Sequence, residues 1–147
     1  MCLGNICRSP LGEAILRRQA SELGVDIVVD SAGTGDWHVG DSPDKRAVEI
    51  GRRRGCNMAL RARQVRSRDF EEFDLIVAMD RANVSDLVRW PGSQPNKVRL
   101  AMSFATTAGA VEVPDPYYGD MSDFESVADM LEAACAGILR ELSAKEA

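Results

Sequence analysis

A thiol, a guanidinium and a hydroxyl stand within the first nine residues of this chain, as Cys2, Arg8 and Ser9. Pro10 follows, and a Ser-Pro pair is typical of a helix start, with serine as N-cap and proline as the first helical residue. The N–H groups of such a loop, together with the positive end of the helix, bind anions. Arg8 offers a planar fork of donors that fits two phosphate oxygens. The pattern predicts a phosphate-binding loop in which Cys2 is held as a thiolate and attacks phosphorus.

Asp115 is the carboxyl best suited to serve as a general acid. It lies between two prolines that fix the backbone, so its side chain can project over a cleft and protonate a leaving oxygen. The same group would then activate the water that hydrolyses a phosphocysteine. Tyr117 and Tyr118 follow closely, and Trp37 also stands in a polar stretch rather than in an apolar stripe. Aromatic rings in loops suit a wall that stacks on a flat substrate ring.

The bulk composition fits one ordinary globular domain, which we place over residues 1–147. The net charge of −5 argues against nucleic acid or an anionic membrane as a partner. The sequence has neither a signal-peptide pattern nor an apolar run near about 18 residues, which predicts a cytoplasmic location. The four cysteines form no Cys-x-x-Cys pair and the one histidine, His38, has no evident ligand partner, so we expect neither a metal nor another cofactor.

Apolar strands alternate with amphipathic helices along the chain. Gly24 and Gly55 mark helix ends, and Ser122 with Glu125 has the form of a capping box for a long last helix. The alternation predicts an α/β fold with an open parallel sheet covered on both faces, which binds ligands at the carboxyl ends of its strands. The predicted helices are 9–23, 42–55, 80–90 and one from 122 onward, and the predicted strands are 25–30, 75–79 and 97–102.

The chain resembles the low-molecular-weight protein tyrosine phosphatases over almost its whole length. A Cys-x5-Arg-Ser string alone is a moderate signal, and joined to a distant Asp-Pro-Tyr-Tyr-Gly it is a strong one. The resemblance implies a three-layer α-β-α fold with a four-stranded parallel sheet, whose central first strand feeds the cysteine loop. It also implies hydrolysis of phosphotyrosine in proteins through a phosphocysteine, with inorganic phosphate as the product. The matching segments are 2–10, 30–34, 37–40, 61–64, 79–80 and 115–119.

The loop residues hold the phosphoryl oxygens through backbone N–H groups, whose hydrogen bonds strengthen as charge shifts in the transition state. Gly4 permits close approach of the backbone, and Asn5 tolerates a left-handed conformation. Ser9 is placed to donate a hydrogen bond to the Cys2 thiolate, and the resemblance makes Ser31 the partner of the Asn5 amide. The candidate phosphate-binding and supporting residues are Leu3, Gly4, Asn5, Ile6, Cys7, Ser9 and Ser31.

The resemblance places Trp37, Tyr117 and Tyr118 at the mouth of a pocket that is deep enough for phosphotyrosine and too deep for phosphoserine. Related protein-arginine phosphatases tend to carry threonine at the position of Ile6 and to lack the Tyr-Tyr pair, so this chain falls on the tyrosine side. Many relatives have a histidine where this chain has Leu60, which departs from the family pattern in the network behind the loop.

Three alternatives stay open. Cys7 is either a small buried side chain or, as the resemblance implies, a resolving thiol that traps oxidised Cys2 as a disulfide. An arsenate reductase shares the fold but needs further thiols, and the chain has no cysteine between Cys56 and Cys135. A catalytically impaired phosphate-binding module is the third, because only Met1 precedes Cys2. We expect instead that the start is misassigned and that about ten further residues form the first strand.

Overall fold

The computed structural model describes residues 1–106 and 109–146. All four predicted helices are present, together with two of the three predicted strands. The elements are α1 (Arg8–Leu23), α2 (Lys45–Arg53), α3 (Asp69–Glu72), β1 (Ile76–Ala78), α4 (Arg81–Val88), β2 (Val98–Leu100) and α5 (Met121–Glu146), with 3₁₀ turns at Pro95–Lys97 and Ala101–Phe104.

Two short strands form the regular part of a parallel sheet. β1 and β2 are neighbours in that sheet, with Ile76 opposite Val98. Met1 also pairs alongside β1: its amino group donates to Val77 O over 2.7 Å, and the Met79 N–H, directly after β1, donates to Met1 O over 3.2 Å. Parallel strands bring their carboxyl ends to one edge of a sheet, so the residues that follow β1 lie near those that follow Met1.

Two isolated parallel bridges extend the sheet on the side of Met1 and Cys2 that faces away from β1. One bridge joins Cys2 to Gly33, and another joins Gly33 to Gln64. The Thr34 N–H donates to Cys2 O over 2.9 Å. Because Met1 pairs with β1 and Cys2 pairs with Gly33, these first residues lie in the middle of the sheet and lead directly into the cysteine loop.

The predicted strand at 25–30 is wrong. None of these residues belongs to a strand, and Val28, expected to be buried, is 85% exposed. The first bridge after this run is at Gly33, which pairs with Cys2 and with Gln64, and residues 25–30 form no bridge with any described segment. An apolar run without a neighbouring strand has no ladder to join, whatever its β propensity.

Helices cover both faces of the sheet. α1, α2 and α5 pack against one another on one face, where Leu11, Ile50 and Leu131 are buried in the larger core. α3 and α4 contribute Phe70 and Leu87 to a second core. The predicted three-layer α/β architecture is confirmed. None of the helices in the described part of the chain is long and apolar enough to cross a membrane.

The start of α1 differs from the prediction. The helix begins at Arg8, and the residue before it is Cys7, which makes no capping hydrogen bond with its side chain. Ser9 is therefore not the N-cap, and Pro10 is not the first helical residue. This shift leaves the Ser9 hydroxyl inside the first turn, where it is available to the cysteine loop.

The predicted capping box of Ser122 and Glu125 is also wrong, because α5 begins earlier, at Met121. Asp120 caps this helix instead. Its Oδ1 accepts from the Ser122 N–H over 3.0 Å, and its own N–H donates to Asp123 Oδ2 over 2.9 Å. A short acidic side chain directly before the helix is well suited to bind the first N–H groups.

Candidate active site

The phosphate loop runs from Cys2 to the first turn of α1. Asn5 has a φ of 58°, the left-handed conformation that reverses the chain within this short loop. Several loop N–H groups donate to no acceptor among the residues that the structure describes: those of Leu3, Gly4, Ile6, Cys7 and Arg8. Unpaired N–H groups at the start of a helix form a ready site for an anion.

Hydrogen-bond donors surround the buried Cys2 thiol. Its Sγ lies 3.0 Å from Ser9 Oγ and 3.3 Å from the Asn5 backbone nitrogen. Asn5 Nδ2 donates to the same Ser9 oxygen over 2.7 Å, which leaves the proton of the Ser9 hydroxyl free to be donated to the sulfur. The Cys2 sulfur therefore lies within hydrogen-bonding distance of a hydroxyl and of a backbone N–H of its own loop.

Asn5 connects the phosphate loop to the segments behind it. Its Nδ2 also donates to Ser31 Oγ over 3.0 Å, and its Oδ1 accepts from the Arg63 N–H over 3.0 Å. The Ser31 hydroxyl donates in turn to Glu13 Oε1 over 2.7 Å. The amide of Asn5 is therefore fully paired, although Leu60 stands where many relatives carry a histidine.

Glu13 ends this chain of hydrogen bonds on the inner face of α1, and the sequence reasoning missed it. Its side chain is buried, and Arg17 Nη1 lies 2.7 Å from Oε2. Burial raises the pKa of Glu13, while the hydrogen bond from Ser31 and the charge of Arg17 act in the opposite direction. The available signal was a carboxyl on the apolar face of a helix, where an unpaired charge is costly.

The Arg8 guanidinium is buried and fixed by two partners. Its Nη1 donates to Asp80 Oδ2 over 2.6 Å and to Val113 O over 2.9 Å. Asp80 uses its other oxygen, Oδ1, to accept from the Asn83 N–H over 2.8 Å, which caps α4. From the sequence, Asp80 is expected only to cap the helix that follows it. The position of Asp80 soon after β1, at the carboxyl end of the sheet, was the signal for its second contact.

Asp115 lies beside Arg8 on a largely exposed loop. Its Oδ2 is 3.7 Å from Arg8 Nη2, and 48% of the side chain is exposed. Its Oδ1 accepts from the Tyr117 N–H over 3.0 Å, a local turn that sets the direction of the carboxyl. The rings of Tyr117 and Tyr118 are both exposed and meet edge to face, with 4.9 Å between their centroids. Arg8 thus stands between the Cys2 loop and the candidate acid.

Trp37 lies on a different segment next to the phosphate loop. The Gly35 N–H donates to Leu3 O over 2.8 Å, and the indole ring packs against Gly35, so a side chain at that position would displace the ring. The Trp37 side chain is 70% exposed. His38 follows it, and its ring lies against Gly4 of the loop. An exposed aromatic ring therefore borders the phosphate loop, as a substrate wall requires.

The whole chain matches one protein family. The family model described as low molecular weight phosphotyrosine protein phosphatase matches residues 1–147. The chain belongs to the low-molecular-weight protein tyrosine phosphatase family. It is 47% identical over 146 residues to a putative low molecular weight protein-tyrosine-phosphatase of Synechocystis sp., which covers 97% of this chain and 93% of that relative.

Two further relatives extend the likeness to other organisms and to a solved structure. A low molecular weight phosphotyrosine protein phosphatase of Sus scrofa is 41% identical over 147 residues, covering 97% of this chain and 92% of that relative. The crystal structure of a protein tyrosine phosphatase from Entamoeba histolytica superposes with a TM-score of 0.93 at 37% identity, covering 99% of this chain and 96% of that one. The fold around the phosphate loop is therefore that of the family.

The four cysteines of this phosphatase-family chain are free thiols. Burial raises the pKa of Cys7 to about 12, with a further contribution from the Asp44 carboxylate, so this thiol is protonated at neutral pH. Disulfide trapping by Cys7 stays a prediction. In residues 1–106 and 109–146, no three side chains of His, Cys, Asp or Glu are grouped so as to hold a metal ion.

Gly33 is a second residue whose role the sequence reasoning missed. A Cβ at this position would lie 2.7 Å from Leu3 O and 3.1 Å from Gly4 C. Both are backbone atoms of the phosphate loop, so the loop packs directly on the glycine and has no flexible side chain to move aside. Gly33 belongs to the Ser-Ala-Gly-Thr motif that resembles the family, but a motif does not show which atoms its glycine contacts.

Gly33→Ala is expected to displace the phosphate loop. The added methyl should cost about 1–3 kcal/mol of folding free energy. It should also weaken the binding of inorganic phosphate about 10-fold, which corresponds to ~1.4 kcal/mol. The phosphate inhibition constant and urea unfolding measure the two effects.

Gly24→Ala is the matched control for that substitution. Gly24 has a φ of 67° and open space around it, so alanine there costs about 1 kcal/mol of backbone strain without touching the loop. Phosphate binding by this variant should equal that of the parent. Equal phosphate affinity in the Gly33 and Gly24 variants would contradict the assignment of Gly33 as the support of the loop.

Proposed function

We propose that this protein hydrolyses phosphotyrosine in proteins through a phosphocysteine intermediate. The observation that carries the proposal is the arrangement around Arg8, which has the Cys2 loop on one side and the Asp115 carboxyl 3.7 Å away on the other. A nucleophile, an anion-binding arginine and a general acid are the groups that this hydrolysis needs. We place all of them in one catalytic domain spanning residues 1–147.

In the first step, the Cys2 thiolate attacks phosphorus, and an S–P bond forms as the bond from phosphorus to the tyrosine oxygen breaks. The loop N–H groups and the Arg8 guanidinium donate to the non-bridging oxygens, where charge redistributes in the transition state. Asp115 transfers its proton to the departing oxygen, so tyrosine leaves as a neutral phenol. Because Asp80 and Val113 already hold Arg8, little reorganisation is needed at that moment.

In the second step, water attacks the phosphocysteine, and the Asp115 carboxylate takes a proton from that water. The S–P bond breaks, and the sulfur departs as a thiolate that the Ser9 hydroxyl, 3.0 Å away, stabilises. Inorganic phosphate is released, and Asp115 is protonated again for the next turnover. Asp115 thus recovers in the second step the proton that it gave in the first.

The aromatic residues at the mouth support phosphotyrosine as the substrate class. The side chains of Trp37, Tyr117 and Tyr118 are exposed around the phosphate loop and the candidate acid, where they can contact a flat ring. Ile6, in place of the threonine typical of protein-arginine phosphatases, favours the same choice. The partners we propose are therefore phosphotyrosine-containing proteins.

The two alternative functions are less well supported. Reduction of arsenate requires further reactive thiols, and Cys56 and Cys135 are both buried, with the pKa of Cys135 raised by burial to about 12. A catalytically impaired module would have a misplaced nucleophile. Instead, Cys2 keeps its pairing with Gly33 and its contacts with Ser9.

Hydrolysis of p-nitrophenyl phosphate, followed by a comparison of peptides, tests the proposal. We expect turnover of the aryl phosphate, and hydrolysis of a phosphotyrosine peptide at a kcat/KM at least about 10² times that of a matched phosphoarginine or phosphoserine peptide. Release of inorganic phosphate measures all four reactions. A higher kcat/KM for phosphoarginine would refute the substrate class, and no turnover of any phosphate ester would refute the function.

A further inference from the structure

We propose that Arg46 is a positioning residue that holds the acid loop, defined here as residues 114–119, in register with the phosphate loop. The inference rests on the proposed function, in which Asp115 of this loop is the general acid. Its structural basis is a path of hydrogen bonds that joins the two loops through a single arginine side chain.

The acid loop has few anchors of its own. At its beginning, the Val113 N–H donates to Met79 O over 2.9 Å, and within the loop Pro116 is buried. The side chains of Asp115, Tyr117 and Tyr118 are all exposed. An exposed segment with few contacts of its own moves easily, so a side-chain contact between its two ends helps to fix the acid.

Arg46, on α2, supplies that contact. Its Nη1 donates to Gly119 O over 2.8 Å, and its Nη2 donates to Tyr117 O over 2.8 Å. The guanidinium carbon also lies 4.5 Å from the centroid of the Phe124 ring at the start of α5. One planar group thus holds two carbonyls at the far end of the acid loop, a geometry that the fork of an arginine permits and an ammonium does not.

Asp44 fixes Arg46 relative to the phosphate loop. Arg46 Nε donates to Asp44 Oδ1 and Nη2 donates to Oδ2, each over 3.0 Å. The Asp44 N–H donates to Ile6 O of the phosphate loop over 2.8 Å. The hydrogen bonds from Arg46 lower the pKa of Asp44, so this pair remains charged at neutral pH. The path therefore runs from Ile6 through Asp44 and Arg46 to the acid loop.

The consequence for catalysis concerns where Asp115 can place its proton. A displacement of about 1 Å in a catalytic group costs up to ~10²-fold in rate. Loss of Arg46 frees the two loop carbonyls, while the contacts of Val113 keep the loop attached. Proton transfer to the leaving oxygen should suffer, whereas attack by Cys2 should not. A loss confined to proton transfer therefore distinguishes a positioning role of Arg46 from a purely structural one.

Arg46→Met tests the proposal with two aryl phosphates. We expect kcat/KM for phenyl phosphate, whose leaving group needs a proton, to fall about 10- to 10²-fold. For 2,4-dinitrophenyl phosphate, whose leaving group departs as an anion, it should fall about twofold at most. The ratio of the two values does not depend on the folded fraction of the sample. Arg52→Met, at an exposed position of the same helix, is the control and should keep the parent ratio.

The same substitution in an Asp115→Asn background completes the test. If Arg46 acts through Asp115, removing it there should change the ratio by less than about twofold, because coupled residues are not additive. Arg46→Lys should lie between the parent and Arg46→Met, and it provides the measurement should the methionine variant fail to fold. An equal loss on both substrates, or an additive loss in the double variant, would overturn the proposal. A parent protein that hydrolyses neither ester would instead refute the proposed function.

Discussion

Cys2→Ser is expected to remove phosphatase activity while leaving inorganic phosphate bound. A serine hydroxyl does not ionise near neutral pH, so no nucleophile replaces the thiolate. The value of kcat should therefore fall on the order of 10⁴-fold or more. The loop N–H groups and Arg8, which we propose bind phosphate, are unchanged. Phosphate affinity should therefore equal or exceed that of the parent. Single-turnover hydrolysis and isothermal titration with phosphate measure the two quantities.

Cys56→Ser makes the same chemical change away from the site and is the control. Cys56 is also buried, but its Sγ lies 3.6 Å from Arg18 Nη1, on a different part of α1 from the phosphate loop. The control should hydrolyse p-nitrophenyl phosphate at a rate near that of the parent. Retention of more than about a tenth of the parent kcat in Cys2→Ser would show that another group attacks phosphorus.

Asp115→Asn should give the second largest loss. An amide neither donates the proton that the leaving phenol needs nor accepts one from water, so kcat for phosphotyrosine should fall by about 10²–10⁴-fold. Binding should change little, because Asp80 and Val113 hold Arg8 without Asp115. The first step is reported by kcat/KM. The loss in kcat/KM should be smallest for 2,4-dinitrophenyl phosphate, because its leaving group needs no proton.

Asp129→Asn is a suitable control, since Asp129 is a carboxylate on the surface of α5 that pairs with Arg54 over 2.7 Å. It should retain the parent kcat and kcat/KM. A parent-like kcat/KM for phenyl phosphate in Asp115→Asn would exclude Asp115 as the acid, and the carboxyl that replaces it would have to be sought elsewhere around Arg8.

The helices and the conformation of the phosphate loop could be predicted because their signals are local. Gly24 ends α1 in a left-handed conformation, with a φ of 67°, as its place after an amphipathic run indicates. The Cys2 loop leads into α1, and Asn5 adopts the left-handed conformation that its short polar side chain tolerates. Each of these features depends on a few consecutive residues.

The predictions that proved wrong concern features that depend on contacts with other segments of the chain. The run 25–30 has the composition of a strand but no neighbour in register, and a strand exists only when another strand pairs with it. At the start of α1, Ser9 has the chemistry of a cap, but the thiol of Cys2 and the amide of Asn5 engage its hydroxyl instead. Propensity alone does not decide between a local partner and a distant one.

The sequence by itself determined which groups are available for chemistry: a thiol, an arginine and a hydroxyl at fixed spacing before a helix, and a carboxyl between two prolines far along the chain. The tertiary structure decided which residues support them. Asp80 holds Arg8, Gly33 lets the phosphate loop pack closely, and Arg46 joins that loop to Tyr117. These contacts join segments that are distant in the chain. No local spacing encodes them, because they arise only when the sheet and its helices bring those segments together.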